Sequence, residues 1–492
     1  MLVLNLSSKT KVPLHKQVFS LIKEMIESNT LKPGARLPST RELAQKHGIS
    51  RTVVYNAYEE LWGQGYIESR PGSYTIVRKK PPNIKFINKA DKSLIDWEEV
   101  VSAPGRDVFE IYSGFPELSF KSNRPDLINM HSLSLDHRVL PVDSFRKCLN
   151  STMYSNTDIF NYGAVEGYLP LREYIASRSK MHGIYVSSDE ILITNGTQSS
   201  LDLILRLLVK PGSSIVTENP TFLYALPLMK YYNAEVIGLS MNKYGPRLNE
   251  LEKILKSKRP SLVYSIPNFH NPTGITMSPE VRENLIAICE KYKVPIIEDA
   301  FEEEMKYFGK VPLSLKSIDK NQIVIYMSSF SKVLFPGVRI GWIAANKNLI
   351  NIASSIKTFS DIASNSVIQA GIHEFCRQGF YDMHIKHMHR IYKRRMQTAI
   401  HVLKEKLSFE NIFWDEPLGG YLIWLKIKGL KITEDKLHSV LLKHGIQTTP
   451  GSVFFTNKQK DHYIRLSITQ VNEEEIIEGI ERLKCAFEEL FT

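Results

Sequence analysis

Four cysteines in 492 residues, Cys148, Cys289, Cys376 and Cys485, are too few and too scattered for a disulfide framework or a thiolate metal centre. None forms a CxxC pair, so inert, mostly buried thiols in a reducing, cytoplasmic compartment are expected. Long apolar runs are also missing. No stretch reaches the roughly 18 residues that a membrane span needs, and MLVLNLSSKTK lacks the plan of a secretion signal. Membrane association is not expected. His384, His387 and His389 lie close together, but on a helix they do not share one face and no carboxylate or cysteine adjoins them. No metal is expected there.

What is present is the composition of a globular protein, 43% apolar and 23% charged, on a chain long enough for two or three domains. The net charge of +11 is uneven: residues 1–80 hold 13 Lys/Arg against 6 Asp/Glu, +7 of the total. A basic module on a nearly balanced body suggests a polyanionic partner for that module.

Within residues 15–29, Val18, Leu21, Ile22, Met25 and Ile26 share one helical face, and LKPGARLP then breaks the pattern. Ser39 and Glu42 form a predicted capping box for a short helix that ends at Gly48. Ser50 caps a following helix predicted to run through Tyr66, with Ser50, Arg51, Thr52 and Tyr55 at its start, and GYIESRPGSYTIV alternates like a hairpin with a Pro71-Gly72 tip. Two helices joined by a tight turn place the second in a DNA major groove. This pattern, LPSTRELA through SRTVVYNAYEELWGQGYI, resembles the winged helix-turn-helix of the GntR family. The resemblance implies contacts to double-stranded operator DNA from Arg41, Arg51 and Thr52, with Tyr55 and Gly72 beside them.

The expected organisation is a DNA-binding domain over 1–78, a Pro-rich, basic tether with one short helix over 79–108, and a second fold over 109–492. In that second fold, helical patterns alternate with the short runs EILIT, SIVTE, LVYSIP, VPIIEDA and QIVIYMSS. Such alternation predicts an α/β fold with a mostly parallel sheet, whose ligands gather at the C-terminal strand ends. TNGTQ, PNFHNPTG, EDAF and SSFSK all fall at such ends.

Singly, each has a bland explanation as turn, cap or surface residue. Together they describe one ligand. A phosphate would sit on a helix N-terminus with Ser329 and Arg339; a cationic ring nitrogen would pair with Asp299, and a phenolic oxygen with Asn271. Phe222 would stack on a flat ring, and Lys332 would reach an aldehyde. That ligand is pyridoxal 5′-phosphate (PLP).

FNYGAVEGYLPLREYIA, NGTQ, ENPTF, NPTG, EDAF, SFSKVLFPGVRIGW and YIRLSIT stand in the order found in fold-type I aminotransferases, which residues 109–492 resemble. The resemblance implies large and small subdomains, a homodimer, and a catalytic pair of Lys332 and Asp299. It implies phosphate contacts from Gly196, Thr197, Gln198 and, across the dimer, Tyr162, and it assigns an effector carboxylate to Arg465. Gly114, in the SGFP run with Phe115, is expected beside the effector. Two positions depart from the usual pattern: Phe301 and Phe222 stand where tyrosines are common. The polar segment 120–141 fits either an effector-pocket lining or a plain surface loop.

A GntR-type winged helix fused to an aminotransferase-like domain resembles the MocR (GabR-like) transcription regulators. That layout implies a PLP-dependent regulator in which Lys332 carries the cofactor and an amino-acid-like effector, or PLP itself, is sensed. Two other readings remain at this level: an active aminotransferase that carries a DNA-binding module, and a dimerisation scaffold that has lost its cofactor.

Overall fold

A computed structural model describes residues 2–7, 10, 12–69, 74–79, 95–113, 124, 126–302, 304–308 and 312–491. Gly72 and Gly114 lie outside them. The chain divides between Val100 and Val101 into two units.

The first unit opens with α1 (Leu14–Glu27), which buries Val18, Ile22 and Ile26, every fourth residue, while Leu21 and Met25 are only partly covered. Helix α2 (Thr40–His47) starts on the expected capping box: the Glu42 N–H donates to Ser39 Oγ at 3.2 Å, and the Ser39 N–H donates to Glu42 Oε2 at 2.8 Å. Such caps contribute about 1 kcal/mol each. Gly48 closes the helix in the left-handed region, at φ +61°. Helix α3 (Arg51–Gly63) is capped by Ser50 and ends three residues before Tyr66. The reason is Gly65, whose φ of +75° turns the chain into the wing. Strands β1 (Ile67–Ser69) and β2 (Thr75–Val77) pair antiparallel as that wing.

Helix α4 (Trp97–Val100) matches the single short helix expected in the tether, but α5 (Ala103–Ser113) does not. Helix α5 straddles the boundary expected at residue 108, and its apolar residues Val108, Ile111 and Tyr112 fall at the i, i+3, i+4 spacing of one helical face.

In the second unit, β3 (Ile128–Asn129) and helices α6 (Val142–Ser155) and α7 (Leu169–Met181) precede the main sheet. The sheet comprises β4 (Ile191–Thr194), β5 (Ser214–Asn219), β6 (Glu235–Asn242), β7 (Gly245–Pro246), β8 (Leu262–Ser265), β9 (Ile296–Asp299), β10 (Val324–Ser329) and β11 (Gly341–Ala344). Its order is β4-β11-β10-β9-β8-β5-β6-β7. Strands β6, β5, β8, β9 and β10 run parallel, whereas β11 is antiparallel to both of its neighbours. Every residue of β4, β8, β9 and β10 is buried, because helices cover both faces. Helices α8 (Thr197–Leu208) and α9 (Ala225–Tyr231) follow β4 and β5, and α5 packs on α9.

A smaller antiparallel sheet near the C-terminus pairs Leu422–Ile427 with His462–Ser467. Beside it, β3 pairs in parallel with Ile446–Gln447. That pairing carries residues 130–134 from the second-unit N-terminus onto the ends of the main strands.

Candidate functional sites: a cofactor cavity and a nucleic-acid face

The C-terminal ends of β4, β8, β9 and β10 open onto a cavity of about 800 Å³. Thr197, Gln198, Phe222, Asn271, Asp299, Ser329, Lys332, Arg339 and Arg465 all line it, as the sequence predicts.

Asp299, the last residue of β9, is 4% exposed. The Tyr264 hydroxyl donates to its Oδ2 at 2.7 Å, while Oδ1 is buried with no hydrogen-bond partner among the described residues. Burial pushes this carboxyl up to about 6, against the opposing Tyr264 hydrogen bond and the Lys332 charge. An orphaned buried carboxylate oxygen is costly unless a donor arrives. A protonated pyridine nitrogen is such a donor.

Lys332 Nζ donates to the Leu133 carbonyl at 3.2 Å. Burial lowers its amine to about 8, partly offset by the Glu302 and Asp299 carboxyls and reinforced by the Arg465 and Arg339 charges. A neutral amine is the nucleophile, so cofactor attachment to the apo protein should quicken as pH rises, with a midpoint near about 8. Stopped-flow absorbance checks this; a midpoint at the ordinary lysine value of 10.5 would mean a fully solvated amine.

The phosphate end is built around Gly196, which has a φ of +90° before the first turn of α8. A Cβ there would lie 2.6 Å from Arg339 Nη2, and that guanidinium donates to the Asn195 carbonyl at 2.9 Å. Gln198 is tied to the Tyr224 carbonyl at 3.1 Å, and the Ser331 N–H donates to Ser329 Oγ at 3.2 Å. Gly196→Ala combines a strained backbone with a displaced arginine, together about 1–3 kcal/mol. The expected result is roughly tenfold weaker PLP binding, measured by calorimetry.

Arg465 is 2% exposed, on the strand paired with Leu422–Ile427. It donates to Asn271 Oδ1 at 3.0 Å, to the His131 carbonyl at 2.9 Å and to Thr449 Oγ1 at 3.0 Å, while its Nε is buried with no partner among the described residues. Burial lowers it to about 10, which leaves it cationic at neutral pH. With its Oδ1 engaged by Arg465, Asn271 keeps its amide N–H group for a phenolic oxygen.

Three features escape a motif-based reading. His131, Ser132 and Leu133 line the cavity, so segment 120–141 supplies pocket lining rather than only a surface loop. Glu302 is 1% exposed: one oxygen accepts the Tyr421 N–H at 3.2 Å and the other has no partner among the described residues. Burial pushes it up to about 8, and its one signal in the sequence is its place three residues after Asp299. The third is α5, whose Val108, Ile111 and Tyr112 form one wall. Phe301 lines the cavity where a phenol would otherwise stand. Tyr162 is 85% exposed, outside this cavity. The His384 ring meets the Val333 carbonyl at 2.7 Å, and the His389 ring meets the Glu304 carbonyl.

In the first unit, Arg41, Arg51, Thr52 and Tyr55 are all exposed around the start of α3. Arg51 Nε reaches Thr40 Oγ1 at 3.4 Å, and the N-cap Ser50 Oγ accepts the Val53 N–H at 3.3 Å. Arg36, which the sequence shows only inside a turn-forming stretch, stacks on the wing residue Tyr74 at 3.7 Å and bridges to Ile76. It adds a cation at the wing.

Residues 14–77 match the family Bacterial regulatory proteins, gntR family, and residues 128–483 match Aminotransferase class I and II. YdfD, an uncharacterized HTH-type transcriptional regulator of Bacillus subtilis (strain 168), is 32% identical over 98% of this chain and 97% of its own length. MocR of Rhizobium meliloti, a probable rhizopine catabolism regulatory protein, is 26% identical over 99% of this chain and 96% of its own. The chain belongs to the MocR-type transcription regulators. The fold of this MocR-type regulator also matches the α-aminoadipate aminotransferase LysN of Thermus thermophilus, complexed with N-(5′-phosphopyridoxyl)-L-leucine. That likeness has a TM-score of 0.74 at 26% identity and covers 81% of this chain and 99% of LysN. PLP is the cofactor of the class I and II aminotransferase fold, and the residues of this cavity fit it. The family match begins at residue 128, downstream of SGFP. No helix among the described residues is long and apolar enough to cross a membrane.

Proposed function

We propose that this MocR-type regulator binds operator DNA as a homodimer and senses an amino-acid-like effector, or PLP itself, in the Lys332 cavity. One observation carries the reading: Lys332, the unpartnered Oδ1 of Asp299 and the buried Arg465 line a single cavity in a chain whose other unit exposes Arg41 and Arg51.

PLP supplies an electrophilic aldehyde and an electron-accepting ring when bound. The protein does the rest. Asp299 Oδ1, which has no partner among the described residues, would accept the N–H of a protonated ring nitrogen, while the Tyr264 hydroxyl donates to the other carboxylate oxygen. Gly196, Thr197 and Arg339 present backbone donors and a guanidinium to the phosphate. Phe222 and Phe301 exclude water from the ring. Arg465 takes an effector carboxylate in a bidentate grip, which requires its bond to Asn271 or Thr449 to yield. Because Arg465 lies in the small sheet and Lys332 follows β10, an effector that bridges them favours one spacing of the two subdomains.

Tyr162, Phe160, Phe359 and Ile362 are 85%, 61%, 92% and 58% exposed, and Asp361, between the last two, accepts a hydrogen bond from the Asn195 side-chain amide next to the phosphate loop at 3.2 Å. A second copy seated there would cover this apolar surface and bring its own Tyr162 to the phosphate. Such a dimer carries two helix-turn-helix modules and reads two half-sites. A regulator of this kind works in the cytoplasm.

Footprinting on the promoter beside its own gene tests the proposal. Protection of two half-sites that changes when PLP or an amino acid is added is the expected result. Protection that no such ligand alters would leave a DNA-binding scaffold instead. Product formation over many turnovers, from an amino acid and a keto acid, would favour an aminotransferase.

A further inference from the structure

The cavity is far larger than the cofactor contacts require, and its remaining wall has one character. At about 800 Å³ it lies toward the upper end of the roughly 300–1,000 Å³ common for small-molecule sites. Beyond the polar floor, the lining comes from Ile111 and Tyr112 of α5, Leu133, and Tyr224, Leu228 and Tyr231 around α9.

The charged groups of the lining are few, and each already has a task. Among the described residues, its cations are Lys332, Arg339 and Arg465, assigned above to the aldehyde, the phosphate and one carboxylate. His131 adds none: burial and the neighbouring Arg465 charge hold its ring neutral, at about 3. The carboxylates are Asp299 and Asp202. Asp202 accepts the Tyr232 hydroxyl at 2.7 Å and the Arg206 guanidinium at 2.8 Å. Among the described residues, a second carboxylate on an effector would therefore meet apolar and phenolic surface with no cation, and a distal ammonium would meet no uncommitted carboxylate. Burying either charge uncompensated is expensive, whereas a hydrocarbon or aromatic side chain gains by leaving water.

We propose that the effector is an α-amino acid with a large apolar or aromatic side chain, and that Ile111 and Tyr112 of α5 are residues that select it. The inference rests on the reading of Lys332 and Arg465 as the anchors of the amino and carboxylate groups. It makes α5 a sensing element that stands in the chain between the winged helix and the aminotransferase-type match, which starts at residue 128.

The test uses the full-length, PLP-loaded protein and calorimetric titration with L-phenylalanine, L-leucine, L-glutamate and L-lysine. Phenylalanine and leucine should bind at least about 30-fold more tightly than glutamate or lysine, within the range that side-chain pockets achieve. Tyr112→Ala should weaken phenylalanine binding about tenfold. Ile111→Arg, which supplies the missing cation, should narrow the gap between phenylalanine and glutamate about tenfold. Cofactor absorbance and melting temperature, recorded on each variant, separate a lost preference from a lost fold. Glutamate or lysine binding as tightly as phenylalanine would overturn the proposed class while leaving the anchors standing. If no amino acid binds although borohydride still fixes PLP to Lys332, both this class and the amino-acid effector fall, and PLP remains as the signal. If Lys332 carries no PLP at all, the reading beneath the proposal fails.

Discussion

Replacing Lys332 with alanine is expected to abolish covalent attachment of PLP: the imine absorbance of the loaded protein gives way to that of the free aldehyde, and borohydride adds no pyridoxyl mass to the peptide around position 332. The loss should be complete, because no other lysine lines the cavity among the described residues. The phosphate and ring contacts would persist through Arg339, Gly196 and Asp299, so PLP should still bind, without a covalent link. A ligand present at a hundredfold excess over its Kd stabilises the folded state by about 2.7 kcal/mol. The apo wild type should therefore show a larger melting-temperature gain on PLP addition than apo Lys332→Ala, in which only the weaker non-covalent contacts remain. Retention of a reducible adduct elsewhere would mean that the sheltered amine at position 332 is not the anchor. A colourless wild-type protein with unmodified mass would sink the cofactor reading as a whole.

The second large effect belongs to the other unit. Arg51 is exposed at the first residue of α3, directly after the Ser50 cap, where a side chain reaches both phosphate and base edge. A bidentate arginine contact contributes about 1–3 kcal/mol. In a dimer the loss is counted at each half-site, so about 2 kcal/mol apiece makes Arg51→Ala roughly a thousandfold weaker on operator DNA. Fluorescence anisotropy against operator and scrambled duplexes measures this, and the slope of affinity against salt should become shallower by about one for each phosphate contact removed. PLP absorbance should stay unchanged, since Arg51 and Lys332 belong to different units. Loss of both together would show that the two units do not fold separately. Arg36, stacked on Tyr74, should matter less than Arg51 because its contact is confined to the wing.

Local signals in this chain are legible wherever the physics is local. Ser39 and Glu42 are three residues apart and close a capping box within one turn. The apolar runs before TNGTQ, NPTG, EDAF and SSFSK end at strand tips, so the polar residues that follow are carried to one edge of the sheet. Helix α3 stops three residues short of the end its apolar spacing predicts, since Gly65 acts through backbone conformation rather than through side-chain pattern.

Tertiary structure alone decided which distant segments complete the cavity. The Leu133 carbonyl meets Lys332 across 199 residues, and the His131 carbonyl meets Arg465 across 334. Both are backbone contacts, which carry no mark in residue type. Helix α5 straddles the expected end of the tether at residue 108, yet it packs against α9 once the chain folds. The two modules and the cofactor chemistry are thus written in side-chain identity and short spacings, because turns, caps and strand ends are set by near neighbours. The shape and polarity of the effector wall depend on long-range packing, because the surfaces that form it meet only after the sheet has brought them together.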